Sequence, residues 1–322
     1  MIRALLRGFG GATLTLGLLL ALPFTAFAGE HRVVDVTIPN AVIGNSPNTY
    51  GEWNLLVDDP GDLLDPNGNT VDVTTGGDVT GQVSGGHARI DSGGGTATSN
   101  NNTTTIFGGG IARGVTSGGW ARIIGDGDAT TNSNTVNIEG NGSAAYEVRG
   151  GDIEVVGNGT STANNNKVNI SGSGSVTSHV YGGRATLDSG TATVTGNSVI
   201  ISGGSVGGTV YGGYVNTTLT GAATATGNTV IISGGTVSGG VYGGWAISTS
   251  GGAATATGNS ATIGGTAQVS WYVFGGYAWS TSGAAKATGN TATIGGTAMV
   301  NSASSKKSVG EVGYGKLCKV MV

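Results

Sequence analysis

Hydrophobic and polar positions return along this chain with a period of about 31 residues. The clearest marker is an asparagine that recurs at spacings of 31 to 33 residues, at Asn69, Asn102, Asn134, Asn166, Asn197, Asn228, Asn259 and Asn290. The same residue types surround each asparagine, as in T-G-N-T-V-I-I-S-G-G at 226–235 and T-G-N-S-A-T-I-G-G at 257–265. Self-similarity at a fixed period indicates a repeat architecture, which here covers residues 69–300.

The first of three predicted strands in each repeat follows the asparagine. The residues two and four places after it are apolar, and a polar residue or an isoleucine lies between them, as Asn137 lies between Val136 and Ile138. Alternation with a period of two predicts a strand with one buried face.

The second predicted strand brackets a Gly-Gly pair that also recurs once per repeat. The pairs are Gly85-Gly86, Gly118-Gly119, Gly150-Gly151, Gly182-Gly183, Gly212-Gly213, Gly243-Gly244 and Gly275-Gly276, and four of them lie in V-Y-G-G or V-F-G-G. A small apolar residue such as Ala185 or Val215 follows each pair and is expected to point inwards. Its bulky or polar neighbour, such as Tyr214, is expected to point outwards.

The third predicted strand is the A-T-A-T segment before the next asparagine. Ala223 and Ala225 are expected to point inwards, whereas Thr224 and Thr226 point outwards. Lys286 falls in the threonine column, which indicates that this column faces water.

Three short strands per repeat without helical periodicity predict an all-β, right-handed parallel β-helix of about eight coils with repeats of 31–33 residues. Equivalent residues of successive coils then stack in columns about 4.8 Å apart. We expect the asparagine column to form an internal amide ladder at a corner. We also expect the glycines to supply left-handed or tight corners.

The ends of the chain differ from the repeats. Residues 1–28 have a basic start at Arg3 and Arg7, an apolar run from 12 to 22 and a small-x-small site at Ala26-Phe27-Ala28, which predicts a secretory signal peptide. Residues 29–68 are predicted to cap the first coil, because a stacked rod has an open edge to cover. Residues 301–322 are predicted to be an irregular basic tail containing Lys306, Lys307, Lys316 and Lys319.

Composition excludes several classes of protein. The chain has 65 glycines but only 5 prolines among its 322 residues, which excludes collagen. A single cysteine, Cys318, excludes a disulfide framework and a cysteine-rich zinc site. The net charge of -4 argues against a nucleic-acid partner.

Carboxylates offer little for catalysis, because no Asp or Glu occurs between Ser189 and Gly310. Asp152 and Glu154 alternate on one predicted strand, with Arg122 and Arg184 in adjacent coils, and we interpret them as surface ion pairs. We interpret four further acids as part of a solvated cap and not as a metal site: Asp58, Asp59, Asp62 and Asp65. We assign no catalytic role to His31, His87, His179 or Cys318. We therefore expect no catalytic residue, no metal site and no cofactor.

Aromatic columns are the strongest functional candidate. One predicted column contains Tyr181, Tyr211, Tyr242 and Phe274, and a second contains Tyr214, Trp245 and Tyr277, with Trp279, Trp271 and Tyr272 beside it. Stacked rings stabilise adjacent coils, and an exposed aromatic strip also contacts glycans or proteins, so both roles stay open. A third hypothesis, an ice-binding face on the Thr-x-Thr column, is disfavoured by Lys286, Asn132 and Asn164.

The signal peptide and the repeats of G-N-x-V-x-I-S-G-G and V-Y-G-G together resemble the passenger region of bacterial autotransporters, the type V secreted proteins. The resemblance covers about 230 residues of the chain. It implies a non-enzymatic, adhesin-like β-helical passenger that is exported to the cell surface, the outer membrane or the medium, or to the periplasm if the chain is truncated. Its partners would be a host or cell-surface glycan or protein, or a second copy.

The family pattern continues into a C-terminal outer-membrane β-barrel, which does not follow the repeats here. The abrupt change to a basic stretch after Ile294 predicts a truncated passenger. The alternative function is a polysaccharide-active β-helix enzyme, a lyase or hydrolase, for which a cluster of carboxylates around Asp152 would be needed.

Overall fold

The chain winds into a right-handed parallel β-helix of about seven turns, close to the eight coils predicted. The computed structural model describes residues 67–73, 77–91 and 94–300 in full, and the backbone of four strands between residues 36 and 64. Within this part of the chain the regular elements are strands, and no helix is long and apolar enough to cross a membrane. The predicted signal peptide at 1–28 and the tail at 301–322 lie outside the described residues.

Two of the three predicted strands of each repeat, the one that contains the Gly-Gly pair and the A-T-A-T strand, belong to one continuous sheet. The glycine strands, named after the Gly-Gly pairs in all but the first, are Thr49–Leu56, Val83–Ile90, Thr116–Ile124, Val148–Asn164, Val180–Thr195, Val210–Thr217, Val241–Ser248 and Val273–Ser280. The threonine strands are Asp62–Leu64, Gly95–Asn100, Gly127–Asn132, Ala222–Thr226, Ala254–Thr257 and Ala285–Thr288. In the two turns that lack a separate threonine strand, the long strands Val148–Asn164 and Val180–Thr195 include it.

Of the other two sheets, one consists of the predicted strands that follow the asparagine, and the other consists of short strands that were not predicted. The asparagine strands, which follow the recurring asparagine, are Ala41–Val42, Thr70–Val73, Thr103–Ile106, Thr135–Ile138, Lys167–Ile170, Ser198–Ile201, Thr229–Ile232, Ser260–Ile263 and Thr291–Ile294. The short strands are Asp78–Val79, Ile111–Ala112, Ser143–Ala144, Ser175–Val176, Ser205–Val206, Thr236–Val237, Gln268–Val269 and Met299–Val300. Each full turn therefore has four strand segments instead of three.

Equivalent strands pair in parallel and in register, so equivalent residues stack in columns. Val230, for example, pairs with Val199 in the preceding turn and with Ala261 in the following turn. At the N-terminal end, Val36–Thr37 pairs antiparallel with Thr49–Leu56, and the latter strand pairs in parallel with Val83–Ile90. The predicted boundaries of the 29–68 cap stay a prediction.

Buried side chains form two separate hydrophobic cores. The first core lies between the asparagine strands, the short strands and the valine before each Gly-Gly pair, as with Val230, Val237 and Val241. The second lies between the threonine strands and the second residue after each pair, as with Ala254 and Ala246. The inward positions predicted from alternation are confirmed in both cores.

The recurring asparagines form the predicted amide ladder. The Oδ1 atom of Asn228 accepts hydrogen bonds from the backbone N–H and the Nδ2 of Asn197, at 3.0 and 2.9 Å. Its Nδ2 donates to Oδ1 of Asn259 at 2.9 Å and to the carbonyl of Val194 at 3.0 Å. Asn228 is fully buried, and these four bonds use the whole hydrogen-bonding capacity of its amide.

The Gly-Gly pairs lie within strands, as predicted, and pack against this ladder. A Cβ atom on Gly213 would lie 2.5 Å from Cγ of Asn228 and 2.6 Å from both polar atoms of its amide. Glycine is needed here because no side chain fits, and not because of a left-handed φ. The pair faces the ladder along the boundary between the two cores.

A residue in the left-handed backbone conformation, with positive φ, precedes each ladder asparagine. Gly227 and Gly258 have φ values of 61° and 63° at this position. Earlier turns place Asn101, Ser133 and Asn165 there, with φ between 53° and 56°. Glycine and asparagine adopt this conformation at low cost, so the prediction of glycine corners is confirmed at these positions.

Replacing Asn228 by leucine is expected to destabilise the fold more than replacing Thr226 by serine. Leucine leaves the amide's partners without hydrogen bonds, at a cost of about 1–3 kcal/mol for each buried group. Thr226 points outwards and loses only a methyl group. Urea unfolding followed by circular dichroism measures the difference, and equal unfolding midpoints for the two variants would contradict the ladder.

Candidate functional site

Two aromatic columns run side by side on the outer face of the glycine strands. Tyr181, Tyr211, Tyr242 and Phe274 pair in register on one side of the Gly-Gly column, and Tyr214, Trp245 and Tyr277 pair on the other. We call these seven residues the aromatic strip. They point outwards because Val210 and Val215, their neighbours along one strand, are buried in the two cores.

The rings of the first column are stacked face to face along the turns. Their centroids are separated by 5.1 Å between Tyr181 and Tyr211, 5.4 Å between Tyr211 and Tyr242, and 5.2 Å between Tyr242 and Phe274. The planes are within 13° of parallel. In-register pairing imposes this spacing, since each ring is carried one turn beyond the last.

The two columns also contact each other across the glycines. Tyr242 meets Trp245 at 4.3 Å with an interplanar angle of 77°, and Tyr211 meets Tyr214 at 5.2 Å and 70°. Edge-to-face pairs of this kind are favoured by the ring quadrupole. The rings meet over the two glycines that separate the columns. The strip is therefore one connected aromatic layer.

Exposure increases along the strip towards the last turn. Tyr181 is only 8% exposed, and the other six strip residues are half-buried. Trp271 and Trp279, which lie before and after the strip residues of the last turn, are 60% and 41% exposed. Trp279 pairs with Ile247 in the next outward column, and Trp271 contacts Tyr272 edge-on at 6.3 Å.

Four tyrosines of the strip, Tyr181, Tyr211, Tyr214 and Tyr242, are neutral phenols near pH 7. Burial, with a smaller contribution from Tyr214, raises the pKa of Tyr211 to about 12. Burial also raises the pKa values of Tyr181, Tyr214 and Tyr242. Their hydroxyl groups can therefore donate as well as accept hydrogen bonds.

Charged residues occupy the same two columns one turn earlier. Asp152 forms ion pairs with Arg149 of its own strand and with Arg184 of the next, the latter at 2.8 Å between Nη1 and Oδ1. Arg149 also pairs with Glu147. The predicted ion pairing of Asp152 is confirmed, but Asp152 is only 1% exposed, so its predicted position at the surface is wrong. It is covered because Trp120 and Arg184 stack on either side of it in its column.

The carboxyl group of Asp152 stays ionised in this cluster. Burial opposes ionisation of Asp152, but the guanidinium groups of Arg149 and Arg184 outweigh burial and keep the pKa of the carboxyl below its ordinary value. A carboxylate held in this way is a poor proton donor or acceptor near neutral pH. Glu154 and Arg122 do form the predicted surface pair, at 3.4 Å.

Sequence reasoning missed Arg149 and Glu147 as members of this cluster. The signal was available, because Arg149 occupies the column of Tyr181, directly beside the column of Asp152. The cluster joins the charged turns to the aromatic strip, since the Tyr181 ring is the next member of the Arg149 column.

The remaining candidate residues from the sequence give less support for a functional site. His179 Nδ1 accepts a hydrogen bond from the backbone N–H of Thr209 at 2.9 Å. Within the described residues, no group of three or more His, Cys, Asp or Glu is placed to hold a metal ion. The side chains of Asp58, Asp59, Asp62 and Asp65, with His31 and Cys318, lie outside the described residues.

The threonine column is more regular than the sequence suggested. Six threonines stack in register before Lys286 follows them, namely Thr98, Thr130, Thr162, Thr193, Thr224 and Thr255. The next column changes from asparagine to threonine between Asn164 and Thr195. The predicted outward direction of the threonines is confirmed.

Comparison with family models, curated proteins and solved structures found no match to this chain. The geometry of the strip and of the charged cluster therefore carries the functional argument.

Acid is expected to destabilise the fold through His87, which is buried in a stack with Trp120 at 4.1 Å. Burial and then the charges of Arg89 and Arg122 lower its pKa from 6.5 to about 3, against an opposing effect of Asp152. Between these values the unfolded chain binds a proton that the folded chain does not. Stability therefore falls as the pH falls, by about 2 kcal/mol between pH 6.5 and pH 4.5 from this group alone.

Urea unfolding of the wild type and of His87→Gln at both pH values measures this effect. The variant is expected to lose less stability on acidification than the wild type by about 2 kcal/mol. An identical loss in both proteins would show that His87 does not titrate in this way.

Proposed function

We propose that this chain is a non-enzymatic, exported surface solenoid, an adhesin-like passenger of the autotransporter kind, whose aromatic strip contacts its partner. The observation that carries the proposal is the strip itself, a connected layer of seven rings on one outer face. Exposed apolar surface of this kind marks interaction sites. The strip also repeats one contact per turn, and repeated weak contacts add up to useful avidity.

The surroundings of the strip support adhesion more than catalysis. Lys286 is the only charged residue between positions 189 and 300. The carboxylate that an enzyme would need, Asp152, is buried and engaged by two arginines. A polysaccharide lyase or hydrolase is therefore the weaker hypothesis.

Location and partners follow from the same proposal. Export would use the predicted leader at 1–28. The partner would be a glycan or protein of a host or cell surface, or a second copy of the chain. No nucleic acid or cofactor takes part.

Trp271 and Trp279 flank the strip residues of the last turn and are more exposed than the strip itself, so a partner that lies on the strip also contacts them. Removing these two tryptophans is expected to weaken surface binding without unfolding the chain. The test applies the fluorescently labelled wild type and the double variant Trp271→Ser, Trp279→Thr to epithelial and bacterial cells and measures the bound protein. Threonine is a suitable replacement at 279, because Thr186 occupies that outward column in an earlier turn. We expect a loss of about tenfold in apparent affinity.

Leu219→Ser is the matched control, since Leu219 is 54% exposed and lies outside the strip. It is expected to bind like the wild type. Undiminished binding by the tryptophan variant, or no binding by the wild type, would contradict the proposal.

A further inference from the structure

We infer that the aromatic strip takes a neutral, extended β-1,4-linked glycan that lies along the solenoid axis with one sugar against each turn. The inference rests on the proposed function and names the class of ligand. It follows from the spacing of the rings, from the charges around them and from the polar groups that the strip carries.

The spacing of the strip fits such a glycan. Ring centroids in the first column are 5.1, 5.4 and 5.2 Å apart, so the strip offers an equivalent aromatic group at each of these steps. An extended β-1,4-linked chain advances by about the length of one pyranose ring per sugar, which is close to this step. Each successive sugar can therefore lie against the next turn of the strip, over four turns.

The charges favour a neutral ligand. Only Lys286 is charged between positions 189 and 300, and it lies on a threonine strand, whereas the strip lies on the glycine strands. A uronate or sulfated glycan would lose the hydration of its charges here without gaining a cationic partner. Arg149 and Arg184, at the beginning of the strip, are already engaged by carboxylates.

The strip combines apolar rings with hydroxyl groups, as sugar recognition requires. Sugar rings have apolar C–H faces and polar rims. The stacked rings of Tyr211 and Tyr242 turn their edges and hydroxyls outwards, and these hydroxyls can bond to the rims of the sugars. Trp271 and Trp279 lie before and after the last pair of strip residues, and their exposed rings offer the larger apolar surfaces.

The number of turns predicts how affinity depends on glycan length. We expect the affinity of the wild type for β-1,4-linked glucose or N-acetylglucosamine oligomers to rise from two sugars to four and then level off, because the strip spans four turns. Isothermal titration calorimetry with oligomers of two to six sugars measures this dependence. Oligogalacturonates of the same lengths should bind about tenfold more weakly or worse.

Shortening the strip should lower the oligomer length at which the affinity levels off. The double variant Phe274→Ser, Tyr277→Thr removes the two strip residues of the last turn and is expected to bind three sugars as well as it binds four. Serine occurs naturally in the Phe274 column, at Ser84 and Ser117. Leu219→Ser is the control and should keep the plateau at four, while circular dichroism and thermal unfolding show that each variant is folded.

The outcomes separate this inference from the proposed function. Affinity that does not depend on length, a preference for the anionic oligomers, or no binding of any oligomer would overturn the inference. If the tryptophan variant still loses cell binding in that case, the strip binds a protein or another glycan and the adhesive function stands. If cell binding is also unchanged, both proposals fail.

Discussion

Steric contact between the asparagine ladder and the Gly-Gly column is the constraint on which the rest of this solenoid depends. An amide that bonds to the turns on both sides must lie inside the coil, and the facing strand can approach it only where it has no side chains. The contact divides each turn into two narrow cores. Narrow cores need only small side chains, which is why Val, Ala and Ile are sufficient to fill them.

The same contact shapes the outer surface. Rings from both aromatic columns meet above the two glycines that separate them and form one layer. Turns that carry Arg149, Asp152 and Arg184 in these columns are joined by ion pairs, and later turns are joined by stacked rings. The fold thus uses one pair of columns both to hold successive turns together and to present a surface to a partner.

Much of this architecture could be predicted from the sequence, because a repeat shows each local preference several times. The period, the alternation after each asparagine and the amide ladder all follow from single residue types in fixed columns. The short strands were missed because two residues, such as Thr236–Val237, are too few to show alternation. The two cores and the burial of Asp152 depend on contacts between turns, which the linear pattern does not contain. The residues of the strip were found from their columns, but their edge-to-face contacts required coordinates.

A double-mutant cycle on Gly213 and Asn228 tests the central contact most directly. A methyl group on Gly213 would collide with the Asn228 amide, and Asn228→Ala removes the three atoms that it would meet. The free energies of unfolding of Gly213→Ala, Asn228→Ala and the double variant should therefore not add. The account predicts that the double variant is more stable than the sum of the two losses implies, by about 1 kcal/mol or more. Additive losses within about 0.5 kcal/mol would contradict the claim that the glycine column exists to receive the ladder.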